Sequence, residues 1–365
     1  MQLKTMQFKP LHKEHKETLP GYVKIEGGDP EFVTGYKEVS GRFVPTVSTQ
    51  LSTRDWLGDR GVRFDIMRND YKVAPGLYAV GDPIASSPVL VTANYKLTFD
   101  EVRKQLAGVD AWIVVLDTKG VNVWCAAGKG SFGTAELLDK LTRLRLGDIV
   151  SHKTLVLPQL GAPGVSAPEI ARVARFHIVW GPVRAADIPA FLASGMQKTD
   201  DMRRIQFRLA DRMAIAPVEL VHAWPFILGA AVLSFLGALP FGPGFGLRFG
   251  WLFAATAGSA LAGSLAFPAL LPLLPTKAFS VKGAVLGALW GAACAIGGHM
   301  GFGMGAAVVL TGAAVSAFIS LNFTGSSTFT CQPGANAEVE KSIIPMIASL
   351  GVGVILGACS RIFGF

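Results

Sequence analysis

The chain has 365 residues, half of them apolar and 16% charged, where a quarter is usual; its mean hydropathy is +0.41. That balance excludes a disordered protein and argues against an ordinary soluble enzyme. The net charge of +8 is spread without a run of Lys or Arg, so nucleic acid is not an expected partner.

The averages hide a division. Residues 1–217 hold 29 Lys and Arg with 23 Asp and Glu, whereas residues 218–365 hold five and three. The first part reads as a soluble domain and the second as a membrane domain. Four cysteines, at 125, 294, 331 and 359, are too few for a disulfide scaffold and too scattered for a closely spaced zinc or iron–sulfur motif. The opening MQLKTMQFKPLHKEHKE lacks the apolar stretch of a signal peptide.

In chain order, residues 1–50 are polar with scattered Gly and Pro, and read as an irregular extension. Residues 51–217 alternate short apolar runs with helical patterns. Strands are expected at 77–80, 89–92, 112–116, 155–157 and 176–179. Helices are expected at 99–106, 135–144, 168–175 and 187–193. Thr98 and Glu101 have the spacing of a capping box. Such alternation predicts an α/β domain with a mainly parallel sheet, which binds ligands at the carboxyl ends of its strands.

The segment 117–130, DTKGVNVWCAAGKG, follows the strongest strand and precedes an expected helix near Gly133. Its residues leave three readings open. Gly128, Gly130 and Gly133 match a dinucleotide fingerprint as a string, but the apolar strand ends near Asp117, too early for it. Cys125 between Trp124 and Ala126 could be a small core hydrophobe. Or Cys125 is a functional thiolate, favoured by Lys129 and the nearby helix terminus and suited to a soft metal.

Residues 218–365 contain five stretches long enough to span a bilayer, about 221–240, 249–272, 281–298, 303–322 and 342–360. Arg203, Arg204, Arg208 and Arg212 precede the first, and Lys277, Lys282 and Lys341 fall in connections on the same side. The positive-inside rule then puts the N-terminal domain in the cytoplasm. Gly283, Gly287 and Gly291 repeat every four residues and read as a helix-packing face. The spans carry no acidic or basic residue in their middles, so an anchor is expected ahead of a transporter. The connection 322–341, about 20 residues long, stands out as a candidate functional loop.

The string NVWCAAGK, residues 122–129, resembles the signature of the corrinoid protein of microbial mercury methylation, HgcA, at all eight positions. Residues 75–83, 87–100, 158–164, 181–192 and 322–330 are also similar to that family. The likeness covers about residues 45–365, and several blocks are shared with the large subunit of the corrinoid iron–sulfur protein of acetyl-CoA synthesis. Cys331, Gln332 and Pro333 depart from a more polar family stretch.

The resemblance implies a Rossmann-like cobalamin-binding α/β domain at 51–217, followed by an all-α transmembrane domain of five helices at 218–365, multi-pass in the cytoplasmic (inner) membrane. It implies cobalamin or a related corrinoid, with Cys125 as the lower axial ligand of cobalt. Asn122, Val123, Trp124, Ala126, Ala127, Gly128 and Lys129 would surround that ligand; Thr92, Asn94, Gly161 and Gly164 would neighbour the corrin. No Asp-x-His-x-x-Gly string occurs, and His152 and His177 are expected to be structural. A thiolate below cobalt would raise electron density on the cobalt–methyl bond and ease its transfer to Hg(II). No iron–sulfur cluster is expected in this chain, so a ferredoxin-like [4Fe–4S] protein is the implied electron donor and methyltetrahydrofolate the implied methyl source. Self-association through the glycine face is left open. Two other functions stay in view: a membrane-anchored corrinoid carrier of one-carbon metabolism with another acceptor, and a nucleotide-binding membrane transport or sensing protein.

Overall fold

A computed structural model describes residues 29–239, 241–326, 330 and 332–363. They fall into two compact units. The first takes the described residues up to Val62 together with Ile66–Ile205, and the second takes Arg63–Asp65 and the chain from Gln206 onward.

The first unit is built on a seven-stranded mixed sheet of order β1-β2-β3-β5-β4-β6-β7. Its strands are β1 (Val33–Val39), β2 (Arg42–Val47), β3 (Gly76–Val80), β4 (Val89–Ala93), β5 (Ala111–Leu116), β6 (Thr154–Leu157) and β7 (His177–Trp180). β4, β5, β6 and β7 are mutually parallel, while β3 runs antiparallel to β5. Helices α1 (Thr53–Arg63), α2 (Lys96–Lys104), α3 (Val123–Lys129), α4 (Thr134–Leu144), α5 (Ala167–Val173), α6 (Ile188–Ala193) and α7 (Asp200–Arg203) fill the connections. β5 is AWIVVL and buried along its whole length. Such an unbroken apolar run is the mark of a strand covered on both faces. One face packs on Leu137, Leu141 and Ile170 of α4 and α5; the other packs on Phe99, Ile188 and Phe191 of α2 and α6.

Two expectations are corrected here. Residues 1–28 lie outside the described residues, but 33–47 are a β-hairpin rather than an irregular extension. Ser40 (φ 52°) and Gly41 (φ 72°) form its two-residue turn, and Val39 pairs with Arg42 across it; two left-handed residues match the strand twist. Helix α2 begins at Lys96, after Tyr95, with no side-chain cap, so Thr98 and Glu101 form no capping box. A buried charge network sets that start instead. Lys96 pairs with Asp55 and Asp100, and Arg103 with the same two carboxylates, each at 2.7 Å. Glu101 pairs with Lys104 at 2.7 Å.

The second unit is helical: α8 (Leu209–Met213), α9 (Ala216–His222), α10 (Trp224–Ala238), α11 (Phe245–Leu261), α12 (Phe267–Leu270), α13 (Phe279–Gly297), α14 (Phe302–Asn322) and α15 (Gln332–Phe363). Among the described residues, four helices are long and apolar enough to cross a membrane. The segment Leu209–His222 with Trp224–Ala238, bent by 50°, makes up to five. A π-turn at Ala262–Ala266 joins α11 to α12 just before Pro268, which has no N–H to continue the α-helical ladder. The buried Arg212 donates to the carbonyls of Pro268 (2.7 Å), Ala269 (3.2 Å) and Phe207 (2.8 Å).

Gly283, Gly287 and Gly291 all face α14. A Cβ at Gly287 would fall 2.1 Å from the Gly312 carbonyl oxygen, and one at Gly291 would fall 2.8 Å from that of Val308. The glycine face is therefore consumed inside one chain, which removes the route to self-association left open above. The last helix starts earlier than the span expected at 342: residues 332–341 are the first turns of α15. The expected 20-residue loop shrinks to a short connection, because AEVEK continues a good helical sequence.

Candidate functional site

The four parallel strands point their carboxyl ends to one edge of the sheet. Taken in chain order they lie 2-1-3-4, with β4 between β5 and β6. After β4 the chain crosses to the face that holds Phe99 of α2. After β6 it crosses to the face that holds Ile170 of α5. Connections leaving to opposite faces open a crevice outside the ends of β4 and β6, where doubly wound sheets take ligands.

Asn94 follows β4 and is 2% exposed. Its Oδ1 accepts from the backbone N–H groups of Thr118 (3.1 Å) and Gly120 (2.9 Å). Its Nδ2 donates to Asp117 Oδ1 at 3.2 Å. Asn94 thus ties β4 to the loop after β5. Lys119 (φ 60°) and Gly120 (φ 74°) are both left-handed there, so the loop needs outside partners to hold its shape. Burial pushes the Asp117 carboxyl up, but hydrogen bonds from Lys119 outweigh it and hold the group below the usual carboxylate range.

That loop delivers the chain to α3. The helix expected near Gly133 is α4, which starts at Thr134. The segment expected to precede a helix near Gly133 is itself helical, and Cys125 lies in the first turn of α3. Asn122 is the N-cap, its Oδ1 accepting from the Cys125 N–H at 2.9 Å. Gly130 closes the helix in the left-handed region at φ 81°. Val123, Ala126 and Ala127 recur at helical spacing and are buried in the core. The other positions face outward: Trp124 is 36% exposed, Cys125 is half-buried, and Gly128 and Lys129 are exposed. Gly128 has nothing within 4 Å of where a Cβ would stand.

The turn after β6, Gln159–Gly164, packs on α3 and the residues behind it. A Cβ at Gly164 would fall 2.1 Å from the Phe132 carbonyl oxygen and 3.0 Å from the Ala127 Cα. A Cβ at Gly161 would fall 2.5 Å from the Phe132 ring. These two glycines therefore permit close packing of the turn on the motif. Thr92, in β4, is 1% exposed, and its Oγ1 has no hydrogen-bond partner. A buried hydroxyl without a partner is unusual and costs stability.

The structure thus brings residues 122–129 together with Gly161 and Gly164 and ties Asn94 to the loop before them, with Asn94 and the two glycines acting on the protein itself; Thr92 alternates with Val91 and Ala93 and so shares the face of Leu90, across the sheet from α3. Sequence reasoning missed Thr118 and Phe132, the counterparts of Asn94 and Gly161; neither belongs to a recognisable pattern. Gly128 sits inside α3, Gly130 ends it and Gly133 precedes α4. They form no strand-to-helix turn, so the phosphate-loop reading falls. His152 and His177 lie at the opposite edge, before β6 and at the start of β7. The His152 ring is engaged by the Ser87 carbonyl (2.9 Å) and the Thr154 N–H (3.2 Å). Among the described residues, no three His, Cys, Asp or Glu side chains gather to hold a metal ion.

Residues 65–190 match the family of the CO dehydrogenase/acetyl-CoA synthase delta subunit. The chain is 32% identical over 127 residues to the acetyl-CoA decarbonylase/synthase complex subunit gamma of Methanopyrus kandleri, covering 34% of this chain and 27% of that subunit. To the gamma subunit of Archaeoglobus fulgidus it is 33% identical over 106 residues, covering 28% and 23%. To that of Methanosarcina acetivorans it is 35% identical over 99 residues, covering 26% and 21%. The chain therefore spans about a quarter of the length of these relatives. The family match at 65–190 holds β3 to β7 and the motif, and ends before the helices of the second unit.

Proposed function

We propose that this chain is a membrane-anchored, corrinoid-dependent methyltransferase whose methyl acceptor is Hg(II). The observation that carries the reading is Cys125: a half-exposed thiol on the outward face of α3, within a string that agrees at eight positions with the mercury-methylation signature. The family match at 65–190 and the relatives from acetyl-CoA decarbonylase/synthase complexes support corrinoid methyl transfer as the broader class.

The residues fit a corrinoid. Gly128 leaves open space beside Cys125 on the outward face of α3. A flat corrin can use that space, on the face of α3 that carries Cys125. When bound, the corrinoid supplies a cobalt-held methyl group for transfer.

The chain's residues do the rest. Cys125 Sγ, as a thiolate, would hold the corrinoid's cobalt. Asn122 and Asn94 hold α3 and its leading loop, so the sulfur is fixed in place. The Gln159–Gly164 turn backs α3 from behind. Hg(II) is a soft, electron-poor acceptor, which fits transfer assisted by a strong sulfur donor. Methyltetrahydrofolate is the proposed methyl source and a ferredoxin-like [4Fe–4S] protein the proposed reductant. The second unit holds the assembly in the cytoplasmic membrane, with the first unit in the cytoplasm.

Two measurements test this. A deletion strain given Hg(II) should lose methylmercury formation and regain it with the wild-type gene but not with Cys125→Ala; undiminished methylmercury in the deletion strain refutes the function. Spectroscopy on anaerobically loaded protein should show sulfur on cobalt, and nitrogen or oxygen there refutes the role of Cys125. The match to acetyl-CoA complex subunits favours a second reading, a methyl carrier with another acceptor. Labelled methylfolate supplied without mercury would then yield a labelled product.

A further inference from the structure

The second unit contains a cavity of about 810 Å³ between α13, α14 and the first half of α15. Its inner wall is apolar, made by Ala284, Ala313, Ala317 and Met346. Its mouth carries Lys277, Glu338 and Lys341. The polar groups between wall and mouth are already engaged. Glu338 Oε1 accepts from the Ser280 N–H (2.7 Å) and Oγ (2.8 Å), and Ser280 Oγ lies 2.9 Å from Ser342 Oγ. Lys282, one turn into α13, donates to the Leu271 carbonyl at 2.8 Å. Lys277 and Lys341 differ: both are exposed, and neither has an ion pair or hydrogen bond among the described residues.

The position of the mouth follows from helix length. α15 has 32 residues, about 48 Å at 1.5 Å per residue, while the hydrocarbon layer is about 30 Å thick. The excess of about 18 Å is roughly 12 residues. It falls on the polar first turns, 332–341, because the sequence is apolar from Ile343 to Cys359 apart from Ser349. Lys341 therefore stands where the apolar run begins. Lys277 stands two residues before α13, at the corresponding boundary. An apolar chamber between helices, with two uncommitted ammonium groups at headgroup depth, has the form of a lipid site.

We infer that this cavity holds an anionic phospholipid, its acyl chain against Ala313, Ala317 and Met346 and its phosphate between Lys277 and Lys341. The lining sums to one net positive charge, with Glu338 turned toward Ser280, so a zwitterionic headgroup gains less there. The inference is independent of methyl transfer and rests on the second unit lying in a membrane.

Native mass spectrometry of the full-length protein in detergent, given phosphatidylglycerol and phosphatidylethanolamine at equal concentration, tests it. Phosphatidylglycerol should be retained about tenfold more. Lys277→Gln with Lys341→Gln should bring the two lipids to parity. Arg361→Gln, at the other end of α15, should leave the preference intact. Equal retention by the wild type, an unchanged preference in the double variant, or an equal loss with Arg361→Gln each overturns the site. Recovery of the protein from the soluble fraction after carbonate washing overturns the membrane reading, whereas lost selectivity in a membrane-embedded protein overturns this site alone.

Discussion

Replacing Asn94 by Ala separates the proposed corrin contact from the role the structure gives this side chain. Its Oδ1 is the acceptor for two backbone N–H groups, of Thr118 and Gly120, at 3.1 and 2.9 Å. Each buried donor left unpaired costs about 1–3 kcal/mol. Two give roughly 2–4 kcal/mol once partial entry of water is allowed, which is about 30- to 1000-fold in a local opening equilibrium. The loop cannot easily relax inward, since a Cβ at Gly120 would meet the Asn69 carbonyl at 3.2 Å. Hydrogen exchange followed by mass spectrometry on the full-length protein, without corrinoid, reads this directly. Amides 118–125 should lose protection by a factor in that range, while β5 keeps its own. Asn94→Asp retains the acceptor but sets a second carboxylate beside Asp117, so its loop should be looser at neutral pH and recover as pH falls. Exchange at 118–125 within twofold of wild type in Asn94→Ala would refute the tie between β4 and the motif loop.

Three more outcomes follow from the same geometry. Gly164→Ala places a methyl 2.1 Å from backbone and should lower stability by about 1–3 kcal/mol; Gly128→Ala, in open space inside α3, should be neutral or stabilising by up to about 1 kcal/mol. Thermal unfolding of both variants checks the ordering, and the reverse order would show that the turn does not bear on α3. Asp59 is pushed up to about 6 by burial and by Asp100. Its folded form binds the proton more tightly than the unfolded chain does, so stability falls as pH rises from about 4 to 6. Asp59→Asn should flatten that limb of a Tm-against-pH curve, and an unchanged slope would locate the dependence elsewhere. Gly287→Leu drives a side chain into the Gly312 carbonyl and should part α13 from α14, seen as faster proteolysis of the second unit; unaltered cleavage would contradict the packing.

Sequence reading succeeded where burial alone decides structure. The runs at 112–116 and 155–157 are strands because nothing but a two-sided core can hold them, and the glycines at 283, 287 and 291 had a spacing that only close helix packing explains. It failed where distant partners decide. The start of α2 is set by Asp55, 43 residues before Thr98, which pairs with Lys96 and Arg103 of the helix, so a sound local capping pattern lost to a buried charge network. Ser40-Gly41 was a readable turn signal, but a polar hairpin at a sheet edge offers too little apolar contrast to show as strands. The first turns of α15 are polar, so hydropathy marks the bilayer's edge and misses the helix's start. At the site, Cys125 stood out by its motif; Asn94 stood out only as a residue after a strand, and its partners at 118 and 120 are unreadable without coordinates.

Beyond the N-cap Asn122, the seven residues 123–129 divide by helical geometry into two tasks. Val123, Ala126 and Ala127 recur at the spacing of a buried stripe and lie in the core. Their replacement by polar residues would unseat α3 whatever the ligand. Trp124, Cys125, Gly128 and Lys129 fall on the remaining arc, where packing asks for nothing in particular; Gly128 is even unfavourable in a helix by about 1 kcal/mol relative to Ala. An exposed tryptophan, a free thiol and a helix-weakening glycine on one outward face have no folding rationale. Each has one if something broad and flat approaches that face and bonds to the sulfur. The half of the motif that stability cannot explain is the half that the proposed function requires.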